Sequence, residues 1–314
     1  MTMTLFAGLD SSCYATSMAL LNARAELIWE QRLPLKVKKG SRGLRQSEMV
    51  FQHLKNMPRL WEEAQKVSNY RLSTLAYTCS PRPGLDSYMP VFKVSEVFGK
   101  SIALAAGINY VQTSHQEGHI AAGVWSTNLK SNEFLAAHIS GGTTEILLVK
   151  DNNGKYDIEI VGGTLDLNAG QFVDRIGVAM GMPFPSGRFL EEKALELSTE
   201  PLATPLAVKD SWFSFSGPAT FVERELAKGV PFPAVARGVE ICIANSLVAA
   251  IKAVSRDVKV KDLLAIGGVA ANQFIRQEIV TKLRDMRVYF PPREYAGDNA
   301  IGVAYLGYLR ENNG

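Results

Sequence analysis

Short apolar runs alternate along the chain with longer stretches in which apolar residues recur at helical spacing, the pattern of helices layered on a sheet. Near the start, residues 5–9, 17–21 and 26–30 read as three strands, the first two joined by the small-residue turn Asp10-Ser11-Ser12. Midway, residues 134–139, 145–150 and 156–161 repeat the arrangement, with Ser140-Gly141-Gly142-Thr143 as the first turn. Asn153-Gly154 between the last two runs is the dipeptide a tight hairpin favours. Two copies of a strand–turn–strand–strand unit, each followed by helices, imply a duplicated fold with one ligand cleft between its halves. A Gly-Gly turn taken alone is simply a turn. Small residues in two equivalent turns point further, to backbone amides that can approach phosphate oxygens closely.

The remaining pattern is consistent with that plan. Residues 94–106 carry a helical period that stops at Gly107, and residues 110–113 form a short strand. A helix over about 169–180 stops at Gly181, and a long one covers about 232–254. Then come a strand at 263–266, the turn Gly267-Gly268, and a helix from about Ala271. A last strand at 287–290 precedes Pro291-Pro292 and a final helix from about Asp298. The polar, glycine-rich run from Lys36 to Gly43 reads as an exposed basic loop.

Composition narrows the class. A chain of 314 residues can build two domains of ordinary size, and 46% hydrophobic with 21% charged residues is typical of a globular enzyme. A formal charge of +3 is small for nucleic-acid binding through a basic surface alone, so any such contact is a local patch or shared with a partner. Cys13, Cys79 and Cys242 are sparse and lack a C-x-x-C pair, which speaks for reduced, packed thiols rather than a disulfide framework or cysteine zinc site. The N-terminus runs straight into a strand without a signal-peptide pattern, and no apolar run approaches the roughly 20 residues that span a bilayer. The expected location is cytoplasmic, without a membrane partner.

Candidate chemistry concentrates in His115-Gln116-Glu117-Gly118-His119. Histidines four apart at the start of a helix, behind Ser114 as a cap, lie on one face and can share a metal ion. A zinc protease needs glutamate directly after the first histidine; Gln116 stands there, and Glu117 points to another face. Two imidazoles leave a metal under-coordinated, and Asp298, placed at a helix N-cap, is the best candidate for a third ligand. The strand, Gly267-Gly268 turn and helix leading to Asn272 form a general phosphate- or nucleotide-binding arrangement, but neither a G-x-G-x-x-G nor a Walker sequence.

Taken in order, these segments closely resemble one family over nearly the whole chain: the universal tRNA threonylcarbamoyladenosine transferases, formerly classed as O-sialoglycoprotein endopeptidases. The resemblance rests on Asp10-Ser11-Ser12-Cys13, the H-x-E-G-H segment, Ser140-Gly141-Gly142, Asn168-Ala169-Gly170 with Asp174, Ser214-Phe215-Ser216-Gly217, the G-G-V-x-A-N segment ending at Asn272, and Asp298-Asn299. It implies an α/β protein of duplicated actin-like, sugar-kinase type, with two lobes around a nucleotide cleft. The lobes are expected at 1–113, completed by 298–314, and at 114–297 with helical insertions. The implied activity transfers a threonylcarbamoyl group from its adenylate to the adenosine next to the anticodon of tRNA. By resemblance His115, His119 and Asp298 are ligands of one divalent metal ion, iron or zinc. Ser140, Gly141, Gly142, Asp174, Gly187 and Asn272 contact the adenine nucleotide, threonylcarbamoyl-AMP or ATP, and Asp10 is the candidate catalytic carboxylate. The implied partners are tRNA, a related non-catalytic paralogue and a small ATPase.

The chain also departs from the family pattern in one direction, losing polar groups near the transferable group. Cys-Asp-Glu-Thr is Cys13-Tyr14-Ala15-Thr16, and Ser-Gly-Gly-His-Thr is Ser140-Gly141-Gly142-Thr143-Thr144. Asp-Asp-Ala-Ala-Gly-Glu is Asp166-Leu167-Asn168-Ala169-Gly170-Gln171, and a glycine-rich segment is replaced by Ser80-Pro81-Arg82-Pro83-Gly84. The family's proline-glutamate loop is Gln46-Ser47-Glu48, with His53 kept. These losses motivate a second reading, a divergent paralogue that binds metal and nucleotide as a scaffold or regulatory subunit. An acyl or sugar kinase is disfavoured by the histidine pair, since such kinases hold magnesium through carboxylates and phosphates. Arg82 and the basic loop from Lys36 to Arg45 are candidate tRNA contacts.

Overall fold

In the computed structural model, which describes residues 2–37, 44–84 and 86–312, the chain alternates strands and helices throughout. It opens with β1 (Met3–Ser11), β2 (Ala15–Asn22), β3 (Leu27–Pro34), α1 (Gln46–Ala64), β4 (Tyr70–Ser80), α2 (Phe92–Ala106), β5 (Asn109–Ser114) and α3 (His115–Thr127). β6 (Glu133–Ile139), β7 (Thr144–Asn152), β8 (Lys155–Thr164), α4 (Ala169–Ala179), α5 (Gly187–Leu195), β9 (Val208–Lys209), β10 (Trp212–Phe213) and α6 (Ser216–Ala227) follow. The chain ends with α7 (Phe232–Asp257), β11 (Asp262–Ile266), α8 (Gln273–Lys282), β12 (Arg287–Tyr289), α9 (Arg293–Ala296) and α10 (Ile301–Asn312).

Each predicted strand triplet is the first part of a five-strand pattern. One sheet has the order β3-β2-β1-β4-β5, with antiparallel pairs among β1, β2 and β3 and parallel pairs from β1 to β4 and β4 to β5. In the other sheet the run β8-β7-β6-β11-β12 repeats that order, with β10 and β9 added beyond β8. β11 is again parallel to both its neighbours. The Asn153-Gly154 turn has φ of 56° and 82°, the left-handed pair of a type I′ hairpin.

The chain forms two compact units. One holds the chain as far as Lys130, the hairpin tip Asp151–Asp157, and the segment from Gly297 onward; the other holds Ser131–Lys150 and Ile158–Ala296. The first boundary therefore falls after Lys130, whereas a boundary after 113 was expected. The cause is α3, which packs against α10 within the first unit. Gly302 makes that approach possible: a Cβ there would lie 1.9 Å from the Gly118 carbonyl oxygen.

Leu5, Leu9, Met18, Leu20, Met57, Leu60 and Leu75 fill the core of the first unit. Phe172, Ile176, Phe213, Phe215, Val239, Ile243 and Leu247 are part of that of the second. Each such side chain contributes roughly 1.5–3 kcal/mol on burial. α7 runs through the second core and is long and apolar enough, by length and composition, to cross a membrane, contrary to the expectation that no segment approaches that length. Its apolarity has a local cause: 78% of the qualifying window is buried, and a helix packed from several sides is apolar around most of its circumference.

Two helix starts also differ from the sequence reading. After Gly268 the chain makes a 3-10 turn over Val269–Ala271, and α8 begins only at Gln273, capped by Asn272. α10 begins at Ile301, whose amide donates to Asn299 Oδ1 at 3.0 Å, so Asp298 lies ahead of the helix instead of capping it. Lys38, Lys39 and Arg42 of the basic loop lie outside the described residues.

Candidate functional site

The histidine pair is positioned by the cap of α3. Ser114 Oγ accepts from the Glu117 amide at 3.2 Å, and Glu117 Oε2 accepts from the Ser114 amide at 2.7 Å, a reciprocal capping box. Glu117 Oε1 takes Arg310 Nη2 of α10 at 2.9 Å. Glu117 is thus spent on the fold, and the two histidines project together on a neighbouring face.

His115 Nε2 lies 3.1 Å from His119 Nε2, and Asp298 Oδ1 lies 3.2 Å from His119 Nε2 and 3.5 Å from His115 Nε2. Bringing Asp298 here uses the segment just before α10, and the correction to its cap assignment explains how its carboxylate is available. Ser12 Oγ donates to Asp298 Oδ2 at 2.6 Å and holds it from the other side. Behind His115, Asp10 Oδ1 lies 3.1 Å from Nδ1. A carboxylate only accepts, so Nδ1 carries the hydrogen, and in the neutral ring Nε2 presents its lone pair to the other two donors.

Three such atoms 3.1–3.5 Å apart can share one cation, either a proton or a metal ion. Donors at about 2.0–2.2 Å from an ion such as zinc form a triangle of this size, so the donor set fits a metal. Without a metal, a proton takes that place. Burial opposes charge on His115, but the Asp10 and Asp298 carboxylates outweigh it and hold its pKa well above the imidazole range. Burial likewise opposes ionisation of Asp298, yet His115 and His119 hold it well below the carboxylate range. Asp10, expected as a catalytic carboxylate, is fully buried behind His115, and its second oxygen Oδ2 has no hydrogen-bond partner among the described residues. Its direct contact is the imidazole.

All six candidate nucleotide residues lie in the second unit, on segments joined in a ring. The turn after β6 closes with the Ser140 amide on the Thr143 carbonyl at 2.7 Å, and Ser140 Oγ accepts from the amides of Gly142 and Thr143 at 3.3 and 3.0 Å. The Ser140 carbonyl accepts from Gly170 in the first turn of α4 at 3.1 Å. Further along α4, Asp174 Oδ1 accepts from the Ser186 amide, next to Gly187, at 2.6 Å; burial pushes its carboxyl pKa up. From α5, Glu191 Oε1 accepts from the Gln273 amide, next to Asn272, at 2.8 Å. Gly267, at φ +96°, closes the ring by lying so near β6 that a Cβ would be 2.4 Å from the Ile139 carbonyl oxygen.

The duplication extends to the turns themselves. The Ser12 amide bonds the Ala15 carbonyl at 3.2 Å, just as Ser140 bonds Thr143. Both hydroxyls accept from the amide three residues on, at 3.4 and 3.0 Å, and Ser12 in addition holds Asp298. Neither the support from Ser12 nor Glu240, whose side chain holds Asn272, is marked by a motif in the sequence. A signal for the latter existed: Arg237 and Glu240 are the only charged residues in the apolar run 232–251.

Two sheets with one strand order, each bearing a serine-led turn after its first strand, define the duplicated actin-like and sugar-kinase class. Component A of (R)-2-hydroxyglutaryl-CoA dehydratase from Acidaminococcus fermentans shares this fold at TM-score 0.59 and 16% identity, over 99% of this chain and all of that one. A ROK-family glucokinase from Streptomyces griseus does so at TM-score 0.56 and 9% identity, over 98% of this chain and 99% of that one. Within the class, the chain belongs to the tRNA N6-adenosine threonylcarbamoyltransferase family, whose profile matches residues 39–305. A family member of that name from Thermus thermophilus is 30% identical over 310 residues, 98% of this chain and 93% of the relative.

Proposed function

We propose that this chain transfers the threonylcarbamoyl group of threonylcarbamoyl-AMP to the exocyclic amine of the adenosine next to the anticodon of tRNA, in the cytoplasm. In this reaction the amine nitrogen attacks the carbamoyl carbon, the bond from that carbon to the AMP phosphate oxygen breaks, and the amine loses a proton. AMP leaves with the bonding electron pair.

The observation that carries the reading is the set of Nε2, Nε2 and Oδ1 atoms of His115, His119 and Asp298, 3.1–3.5 Å apart, in a chain of this family. When bound there, a divalent metal such as iron or zinc would supply Lewis-acid polarisation of a ligand oxygen. Asp10 keeps His115 in the tautomer that offers Nε2, and Ser12 keeps Asp298 turned toward the pair, so both act as positioning groups. In the second unit, the Ser140-Gly141-Gly142 turn is suited to phosphate oxygens, Asp174 to ribose hydroxyls and Asn272 to the base, with Gly187 leaving room beside them. Glutamate directly after His115 is lacking and Glu117 is tied to Ser114 and Arg310, so the older endopeptidase classification finds no general base here. The partners would be tRNA, a non-catalytic paralogue and a small ATPase.

A second reading, metal and nucleotide binding without transfer, is favoured by one feature. Ala15 and Thr143 stand where the family has a carboxylate and an imidazole, and Ala15 is buried at the start of β2. One experiment separates the two. The metal-loaded protein is incubated with unmodified tRNA, threonylcarbamoyl-AMP and the partner proteins, and the tRNA is digested and analysed by mass spectrometry. Transfer predicts modified adenosine that disappears with His119→Ala. Adenylate binding without product would support the scaffold reading and overturn the first.

A further inference from the structure

The reaction above leaves a buried carboxylate unused. Glu240 of α7 is 1% exposed. Its Oε1 accepts from Asn272 Nδ2 at 2.6 Å, and its Oε2 lies 2.8 Å from Arg237 Nη1. Arg237 is itself fixed, with its guanidinium 4.0 Å over the Phe274 ring and Nη2 donating to the Ala194 carbonyl at 3.2 Å. The Oδ1 of Asn272 accepts from the Ile275 amide at 2.9 Å as the cap of α8.

A side-chain amide has two N–H hydrogens and two acceptor lone pairs. Here the protein uses one of each, leaving one donor and one acceptor on the same planar group. Turning the amide over would set Nδ2 against the Ile275 N–H, and Oδ1 against Glu240 Oε1, which repels it when the carboxyl is ionised. Its orientation is therefore imposed from two elements. A donor beside an acceptor complements an adenine edge, which offers an exocyclic N–H next to a ring nitrogen; the corresponding guanine edge offers two acceptors.

We propose that Glu240 is a specificity-determining positioning residue: by holding Asn272 in one amide orientation it makes the second unit prefer adenine to guanine. The proposal rests on the reading of Asn272 as a contact to the base of the adenylate. A carboxylate in this place serving only the core would support the fold without affecting which base is bound.

The test is titration calorimetry of the full chain with AMP and with GMP, which share their sugar and phosphate, read as the ratio of the two dissociation constants. Glu240→Leu is expected to lower the preference for AMP roughly tenfold or more, while Glu240→Gln, which can still accept from Nδ2, keeps most of it. Removing Glu240 alone leaves Arg237 without its counter-charge, so Arg237→Met with Glu240→Leu serves as the variant that replaces the whole pair by apolar groups. This double variant is expected to lose the preference as well. An unchanged ratio in the double variant, with AMP still bound, overturns the role of Glu240. Failure of the wild-type chain to bind AMP at all would instead overturn the reading of the nucleotide site, and this proposal with it.

Discussion

At His115, the hydrogen bond from Nδ1 to Asp10 decides which nitrogen can reach a metal. Asp10→Asn keeps the shape but lets the side-chain amide donate, which favours the wrong tautomer. Metal affinity is expected to fall about 10–100-fold with the fold intact, as is usual when such a support is removed; competition titration with a chelating dye measures it. Glu240 gives a prediction of another kind. Burial raises its pKa from 4.5 to about 7, with the Asn272 hydrogen bond and the Arg237 charge only partly opposing the shift. Between those values the folded chain keeps a proton that the unfolded chain has released. This contribution to stability is therefore fully present below about pH 4.5 and is lost as pH rises through about 7, by roughly 3 kcal/mol. Denaturant unfolding across that window should show a decline in the wild type that is flatter in Glu240→Gln. Parallel profiles would mean that Glu240 does not titrate there.

Among the elements, α3 and α10 matter most, because one supplies both histidines and the other follows directly after Asp298. Gly302→Ala would drive a methyl group into the Gly118 backbone, and no flexible side chain is there to yield. A loss of about 1–3 kcal/mol is expected, together with loss of metal, because separating the helices separates the ligands. Ser114→Ala removes one half of the capping box and should cost about 1 kcal/mol. Melting temperatures of both variants check these values. An unchanged melting temperature for Gly302→Ala would show that the helices do not meet as described.

For the molecule as a whole, the strand triplets, the Asn153-Gly154 hairpin, the α2 stop at Gly107 and the histidine pair were legible because each is written in local period or turn chemistry. The placement of β4 and β11 beside β1 and β6 was not, since parallel pairing joins residues far apart in sequence and leaves no local mark. The extent of the first unit is not legible for a related reason: α3 is held by a helix nearly two hundred positions later, through a glycine whose purpose shows only in packing. Asp298 does lie beside the two histidines, but the capping role expected of it belongs to the turn at Asn299. Glu240 and Ser12 are not legible as supports, because a support residue has no motif of its own.

The proposed chemistry rests on a metal centre at His115, His119 and Asp298. Metal content per chain, measured by inductively coupled plasma mass spectrometry on protein purified without chelator, tests this most directly. The wild type should carry about one equivalent of a transition metal, and His115→Ala, His119→Ala and Asp298→Ala should each lose it while keeping their circular dichroism. Equal metal in the wild type and all three folded variants, or none in a wild type reconstituted with iron or zinc, would contradict it.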